Sequence, residues 1–236
     1  MEIRSNFKLF CYLLFPCFLI FQDCKKDPQE EYSKEITSFS IPQKDKLPLY
    51  FGKDLQPVWE QENTDQPRVI SKFIMKDQEN QNVSEDSCKG KITIVSFFFT
   101  RCAGICPTIT NNLSVVQKEF GLDPNVQILS FSATPDLDSP TVLKEYGAKR
   151  KIRYEKWKLL TGNQKEIYNL ARDSFNADTA IPKEDAKKKL TENDFLHSDH
   201  VYLLDPQLRL RGIYNGKMRS SIEELNSDIS VLKKEL

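Results

Sequence analysis

Cys102 and Cys106 stand in the stretch Thr100-Arg-Cys-Ala-Gly-Ile-Cys-Pro107, between a β-branched and aromatic run and an amphipathic one. Ile109, Leu113, Val116 and Phe120 recur at helical spacing, and Gly121 ends the pattern. Pro107 suits the first helical position, which makes Cys106 the expected cap. A helix N-terminus offers unpaired N–H groups and a partial positive charge. Both favour thiolate over thiol, and thiolate is the form that binds metal and attacks disulfides. Three intervening residues let the two sulfurs converge on one point. Two ordinary buried cysteines or a static disulfide are the plainer readings. A pair lodged between a buried strand and a proline-led helix is much rarer than cysteine pairs in general, so the motif reads as functional. It leaves redox work and metal binding both open.

The chain has two histidines, His197 and His200, in Phe195-Leu-His-Ser-Asp-His200. A histidine just before a strand is usually a surface or packing residue. In a thioredoxin-like sheet, however, the loop entering this late strand lies beside the redox helix, where His197 could join the two sulfurs. Two thiolates and one imidazole form a soft, low-coordinate set that suits copper, especially Cu(I). Zinc would want a fourth ligand, for which His200 or Asp199 is at hand.

The elements that must position these residues read as follows. Lys91–Thr100 is a near-continuous β-branched and aromatic run, as expected of a central strand buried on both faces. Val69–Met75 suggests a strand of an opening hairpin turned by Asp77–Asn82. Val126–Ser132 and Trp157–Leu160 are further strands. Ser139-Pro140 opens a helix to about Lys149, and Gln164–Asp173 forms another. Asn176–Thr191 is charged and reads as an exposed insertion. His200–Asp205 and Leu208–Tyr214 form a hairpin across Pro206-Gln207, and Ile222, Leu225, Ile229 and Leu232 mark one face of a last helix. The predicted class is α/β, a thioredoxin-like α/β sandwich with a central mixed sheet.

With 236 residues the chain allows one ordinary domain and an extension. Thirty-four basic residues balance 34 acidic ones, so net charge suggests no nucleic-acid partner. At the N-terminus, Arg4 and Lys8 precede an apolar run from Leu9 to Phe21, short for a membrane helix but suited to a signal-peptide core. Cys24 sits where bacterial lipoproteins carry their lipidated cysteine, although Phe-Gln-Asp before it departs from the usual small residues. The expected organisation is a signal or lipoprotein signal over 1–24, a polar, proline-dotted tether over 25–66 and the folded domain over 67–236. An uncleaved signal anchor is the alternative to lipidation. Either would leave the domain exported and held at a membrane, facing the periplasm or cell envelope, where disulfides persist. Of six cysteines, Cys88, Cys102 and Cys106 remain in the domain, an odd number. Cys88 reads as a small buried residue that could also form an alternative disulfide.

At this point the residues resemble the Sco/SenC family. Val95-Ser-Phe-Phe-Phe-Thr-Arg-Cys-Ala-Gly-Ile-Cys-Pro-Thr108 resembles its strand and Cys-x-x-x-Cys-Pro signature, Ser139-Pro-Thr-Val-Leu-Lys-Glu-Tyr146 its next helix, and Trp157-Lys-Leu-Leu-Thr-Gly162 its following strand. Phe195-Leu-His-Ser-Asp-His-Val-Tyr-Leu-Leu-Asp-Pro206 resembles its histidine loop, and counting back from Tyr202-Leu203 places the family's ligand at His197. The resemblance implies a copper metallochaperone that helps to assemble the Cu(A) centre of cytochrome c oxidase, delivering copper to the subunit that carries the site or reducing its cysteines. It carries Cys102, Cys106 and His197 over as copper ligands and implies a Cys102–Cys106 disulfide in the oxidised protein. One departure is Thr134, before Pro135, where the family usually has aspartate; Asp138 is retained.

A thiol–disulfide oxidoreductase of the cell envelope, with Cys102 and Cys106 as its redox pair, is the main alternative. Thioredoxins typically use Cys-x-x-Cys and a proline before the facing strand, and neither is present. No convincing peroxidatic triad surrounds Cys102. A redox or copper sensor working through a partner is a third reading, for which the sequence names no partner.

Overall fold

All seven residues of Ile92–Phe98 are buried, and this requires cover on both faces. The computed structural model describes residues 43, 45–59, 66–177 and 198–235. In chain order its strands are β1 (Leu49–Phe51), β2 (Gln56–Val58), β3 (Ile74–Asp77), β4 (Asn82–Ser84), β5 (Ile92–Phe98), β6 (Val126–Ser132), β7 (Trp157–Thr161), β8 (His200–Leu204) and β9 (Leu210–Asn215). The helices are α1 (Ile105–Glu119), α2 (Pro140–Lys149), α3 (Gln164–Phe175) and α4 (Arg219–Leu232), with a 3₁₀ turn at Glu85–Cys88. β1 and β2 pair with each other. The other seven strands form one mixed sheet in the order β4-β3-β7-β6-β5-β8-β9.

β5 is central. It runs parallel to β6, from Ile92 opposite Val126 to Phe98 opposite Ser132, and antiparallel to β8, with Ser96 opposite Val201. The two-residue alternation of its side chains sorts the core into two layers. Ile92, Ile94 and Phe98 join the buried faces of α1, α2 and α4. Val95 and Phe97 face the other way, into a layer closed by Ile167, Leu170, Ala171 and Phe175 of α3. Helices on both faces of a mixed sheet give the thioredoxin-like α/β sandwich that the sequence predicts.

The helices begin as their sequences dictate. Ser139 caps α2 by accepting a hydrogen bond from the Val142 N–H, with Pro140 in the first position. Asn163 caps α3 in the same way through Glu166. α1 differs from the sequence reading: it starts at Ile105 with Gly104 as its cap, so Cys106 lies inside the first turn. None of the first N–H groups of a helix has an intrahelical partner, so Pro107 is tolerated two positions further in than expected.

Three boundaries also move. The opening hairpin ladder starts at Ile74, and Val69 makes only a single bridge, to Arg209. The reason is that Arg68 and Ile70 spend their backbone groups on Leu210, at the start of β9, and Leu208, in the turn before it. Asn176 is the left-handed cap of α3 rather than part of an exposed insertion, and residues 178–191 lie outside the described residues. Within the stretch expected as a polar tether, 25–66, β1 and β2 form a hairpin and Leu47 and Phe51 are buried. Residues 1–24, including Cys24, lie outside the described residues.

A buried guanidinium is one of the groups that hold this N-terminal segment, beside the bonds of Arg68 to Tyr50 and Gly52 and of the Leu47 N–H to Glu235. Arg211 donates to the carbonyls of Leu47 and Pro48 at 2.9 Å each, to Asp205 at 3.2 Å and to Glu235 at 2.7 Å. Asp205 is fully buried and also accepts from Arg209. Arg211→Ala would leave a buried carboxylate with one partner fewer and free two carbonyls, a loss of about 3 kcal/mol. Urea unfolding should show that loss, together with faster proteolysis within residues 45–59. An unchanged midpoint and cleavage pattern would mean the segment is not held by Arg211.

Candidate metal and redox site

β5 delivers the chain to one end of the sheet, and α1 takes it away again. Between them lies Phe99–Gly104, with the Cys102 N–H donating to the Phe99 carbonyl at 3.3 Å. Cys102 is partly exposed, whereas Cys106 is 4 % exposed and packs in the core layer under α1. Both are free thiols. The Cys102 sulfur sits over the start of the helix, only 3.9 Å from where a Cβ on Gly104 would lie.

This placement sets the two thiols apart. Partial burial works against the Cys102 thiolate. The N–H groups of Cys106, Gly104 and Ile105 and the Cys106 thiol outweigh it, and hold the Cys102 pKa below the ordinary thiol value. Cys106 goes the opposite way: burial, then its hydrogen bond to Cys102 and the charge of that neighbour, push it up to about 12. One sulfur is therefore partly exposed and held toward thiolate, and the other is buried and held toward thiol.

The loop before Cys102 is fixed by a buried carboxylate. Asp138 accepts hydrogen bonds from the Thr100 N–H at 3.3 Å, the Thr100 hydroxyl, the Ser132 hydroxyl at 2.6 Å and the Thr134 hydroxyl at 3.0 Å. Thr134, standing where an aspartate was expected, thus serves to hold the loop rather than offering a charge. From below, Thr110 donates to the Cys106 carbonyl at 2.9 Å and meets the Tyr146 hydroxyl at 3.0 Å, while the Tyr146 ring lies 5.4 Å from that of Phe98. Cys88, on the other side of the sheet, is fully buried in the α3 layer, and burial raises its pKa. It shares neither the core layer nor the loop of Cys102 and Cys106.

The described chain resumes at Ser198, one residue after His197, which itself lies outside the described residues. Because β8 is antiparallel to β5, the start of β8 falls at the sheet end that leads to Cys102. A glycine ties that start to α1. The Gly216 N–H donates to the Asp199 carbonyl at 2.7 Å, and the Gly216 carbonyl accepts from Asn112 of α1 at 2.8 Å. A Cβ at Gly216 would lie 3.0 Å from the Asp199 oxygen and from Val201, and 3.1 Å from Ile109. The sequence carries no signal for this contact.

Asp199 and His200, the reserve ligands for zinc, do not join the cysteines. The Asp199 carboxylate pairs with Lys217 at 2.6 Å, and the exposed His200 ring stands 3.6 Å from Asp199. Among the described residues no three His, Cys, Asp or Glu side chains gather as a metal site. The described part of the site is thus a two-sulfur donor set, one sulfur hydrogen-bonded to the other, that fits a soft cation needing few ligands.

The fold has known relatives. The chain matches the SCO1/SenC family over residues 61–233. The SCO1 protein homolog of Bacillus subtilis is 32% identical over 162 residues, covering 68% of this chain and 80% of the relative. A SCO1/SenC family lipoprotein from Bacillus anthracis is similar in structure with a TM-score of 0.61 and 27% identity, covering 70% of this chain and 95% of that one. BsSco, a member of the Sco family of cytochrome c oxidase assembly proteins with a disulfide switch, matches with a TM-score of 0.57 and 31% identity over 70% of this chain and 94% of its own. Bradyrhizobium japonicum ScoI with copper bound matches with a TM-score of 0.50 and 26% identity over 71% and 99%. The family match over most of the chain, with a relative 32% identical over 68% of it, shows that the chain belongs to the SCO1/SenC family.

Proposed function

We propose that this protein binds one copper ion through Cys102, Cys106 and His197 and acts in assembly of the Cu(A) centre of cytochrome c oxidase. The observation that carries the reading is the dithiol at the start of α1: two sulfurs in hydrogen-bond contact, one of them held toward thiolate by helix N–H groups. Two thiolates and an imidazole make a soft set that favours Cu(I). The family relatives support copper, since ScoI of Bradyrhizobium japonicum has been solved with copper bound. BsSco, grouped with cytochrome c oxidase assembly proteins, supports the role. Copper is cargo in this reading, and the receiver is the oxidase subunit that carries the Cu(A) site.

The same sulfurs make the site redox-gated. Copper needs both of them reduced, and oxidation joins them as a Cys102–Cys106 disulfide, so loading and disulfide formation exclude each other. The asymmetry of the pair also supports a second reading, thiol–disulfide exchange: exposed Cys102 attacks, and buried Cys106 resolves the mixed disulfide. Cys24 is the proposed lipidation site, anchoring the domain to a membrane on its outer side; a Bacillus anthracis relative described as a lipoprotein supports this. Among the described residues no helix is long and apolar enough to cross a membrane.

Two measurements test these readings. In Cu(I) competition with a chromophoric chelator, Cys102→Ser and Cys106→Ser should each lose stoichiometric binding, and His197→Ala should weaken it at least tenfold, about 1.4 kcal/mol. Full copper retention by His197→Ala would reject the three-ligand site. In the metal-free, reduced protein, iodoacetamide should modify Cys102 first, with a rate that rises with pH and levels off below the ordinary thiol range, because thiolate is the reacting form. Cys106 should stay unmodified at neutral pH until the protein is unfolded. Equal labelling of the two in the folded chain would remove the proposed division of labour.

A further inference from the structure

Beside the cysteine loop lies an open groove of about 440 Å³, lined by Thr100, Arg101, Val142, Tyr146 and the charged residues Glu145, Lys149 and Arg150. Its cations come from two separate elements. Arg101 precedes Cys102 directly, and its position is set by Thr100, which is anchored on Asp138. Lys149 and Arg150 come from the end of α2, and the Arg150 guanidinium lies 5.5 Å over the Tyr146 ring. A helix C-terminus favours cations, which accounts for Lys149 and Arg150. It does not account for Arg101, which reaches the same groove from the loop after β5. None of the three makes an ion pair among the described residues, and Glu145 is the one carboxylate lining the groove. In a chain of zero formal net charge, this groove carries a local excess of positive charge.

We propose that this groove docks an acidic segment of the protein partner and so presents that partner's sulfur ligands to Cys102. The proposal rests on the metallochaperone reading for the partner's identity, and on charge complementarity for its chemistry. Complementary charges beside a reactive group raise the encounter rate and select the partner, with little demand on the tightness of the final complex. A transfer protein gains from that combination, because it must also release its partner.

The test uses the reduced full chain and two synthetic peptides, each with one intramolecular disulfide, flanked in one by Asp and Glu and in the other by Asn and Gln. The Cys102 thiolate attacks the peptide disulfide, and Cys106 then displaces the remaining peptide sulfur. Two electrons pass to the peptide, which takes up two protons as a dithiol, and the protein is left with a Cys102–Cys106 disulfide. The acidic peptide should react about tenfold faster at low ionic strength, and the advantage should vanish near 1 M salt, where the Debye length is about 3 Å. Lys149→Glu/Arg150→Glu should abolish the advantage while leaving the neutral peptide's rate in place. Glu145→Lys should enlarge it. Equal rates for both peptides with the unmodified chain, an advantage indifferent to salt, or a double variant that slows both peptides alike would overturn the proposal. Copper stoichiometry is measured on the same samples. A chain that binds no Cu(I) refutes the metallochaperone reading and leaves the rate ratios standing; equal rates refute the groove and leave the copper measurement standing.

Discussion

The first N–H groups of α1 have no partners within the helix, and the sulfur of Cys102 is placed to accept from them. Much of the site's chemistry depends on that contact. It requires the helix to begin at Gly104, close behind the sulfur, and it requires β5 to end where it does, so that Phe99–Ala103 can fold back over the helix start. A residue larger than glycine at 104 would bring its Cβ within 3.9 Å of the sulfur, an ordinary contact, so space is not what is scarce there. What is scarce is a stable loop path. Asp138 supplies it by gathering Thr100, Ser132 and Thr134 around one buried carboxylate.

That carboxylate also explains how a threonine can stand at position 134. The Thr134 hydroxyl is spent on Asp138, and its N–H on the Ser132 hydroxyl at 3.1 Å. The loop after β6 is thereby turned into the support of the cysteine loop rather than a source of negative charge beside it. The cationic groove on the same side is consistent with this, since an additional carboxylate near Arg101 would weaken its pull on an acidic partner.

The parts of the fold that were legible in the sequence are those in which one physical requirement acts over many consecutive residues. β5 declares itself because seven positions in a row must be buried, and α1 because Ile109, Leu113 and Val116 must all face the same layer. The cysteine pair was legible because chemistry and local structure coincide there. The N-terminal hairpin was not, because β1 and β2 have three residues each and depend on Arg211, whose bonds to Leu47 and Pro48 span more than 160 positions of sequence. Gly216 was silent for the same reason: its need for a missing side chain comes from Asp199, Val201 and Ile109, all remote or across a turn. The position of Cys106 was misread by one rule applied too narrowly, since proline is tolerated throughout the first helical turn and not only at its first residue.

The inequality of the two sulfurs bears on how a site can both hold and release a soft cation. A pair of equally exposed, equally acidic thiols would be ionised together and open to oxidation together. Here the buried thiol gains its charge only when something positive replaces its proton, because burial and the neighbouring sulfur both oppose a free thiolate. In the copper reading proposed above, proton and cation would therefore compete at Cys106, while Cys102 would remain the accessible point of attack. An incoming sulfur would then reach the ion at the partly exposed Cys102, and reprotonation of Cys106 would favour departure. The arrangement that makes Cys106 a poor nucleophile on its own is the one that would make it a reversible ligand, so the metal and the redox readings of this site draw on a single structural cause.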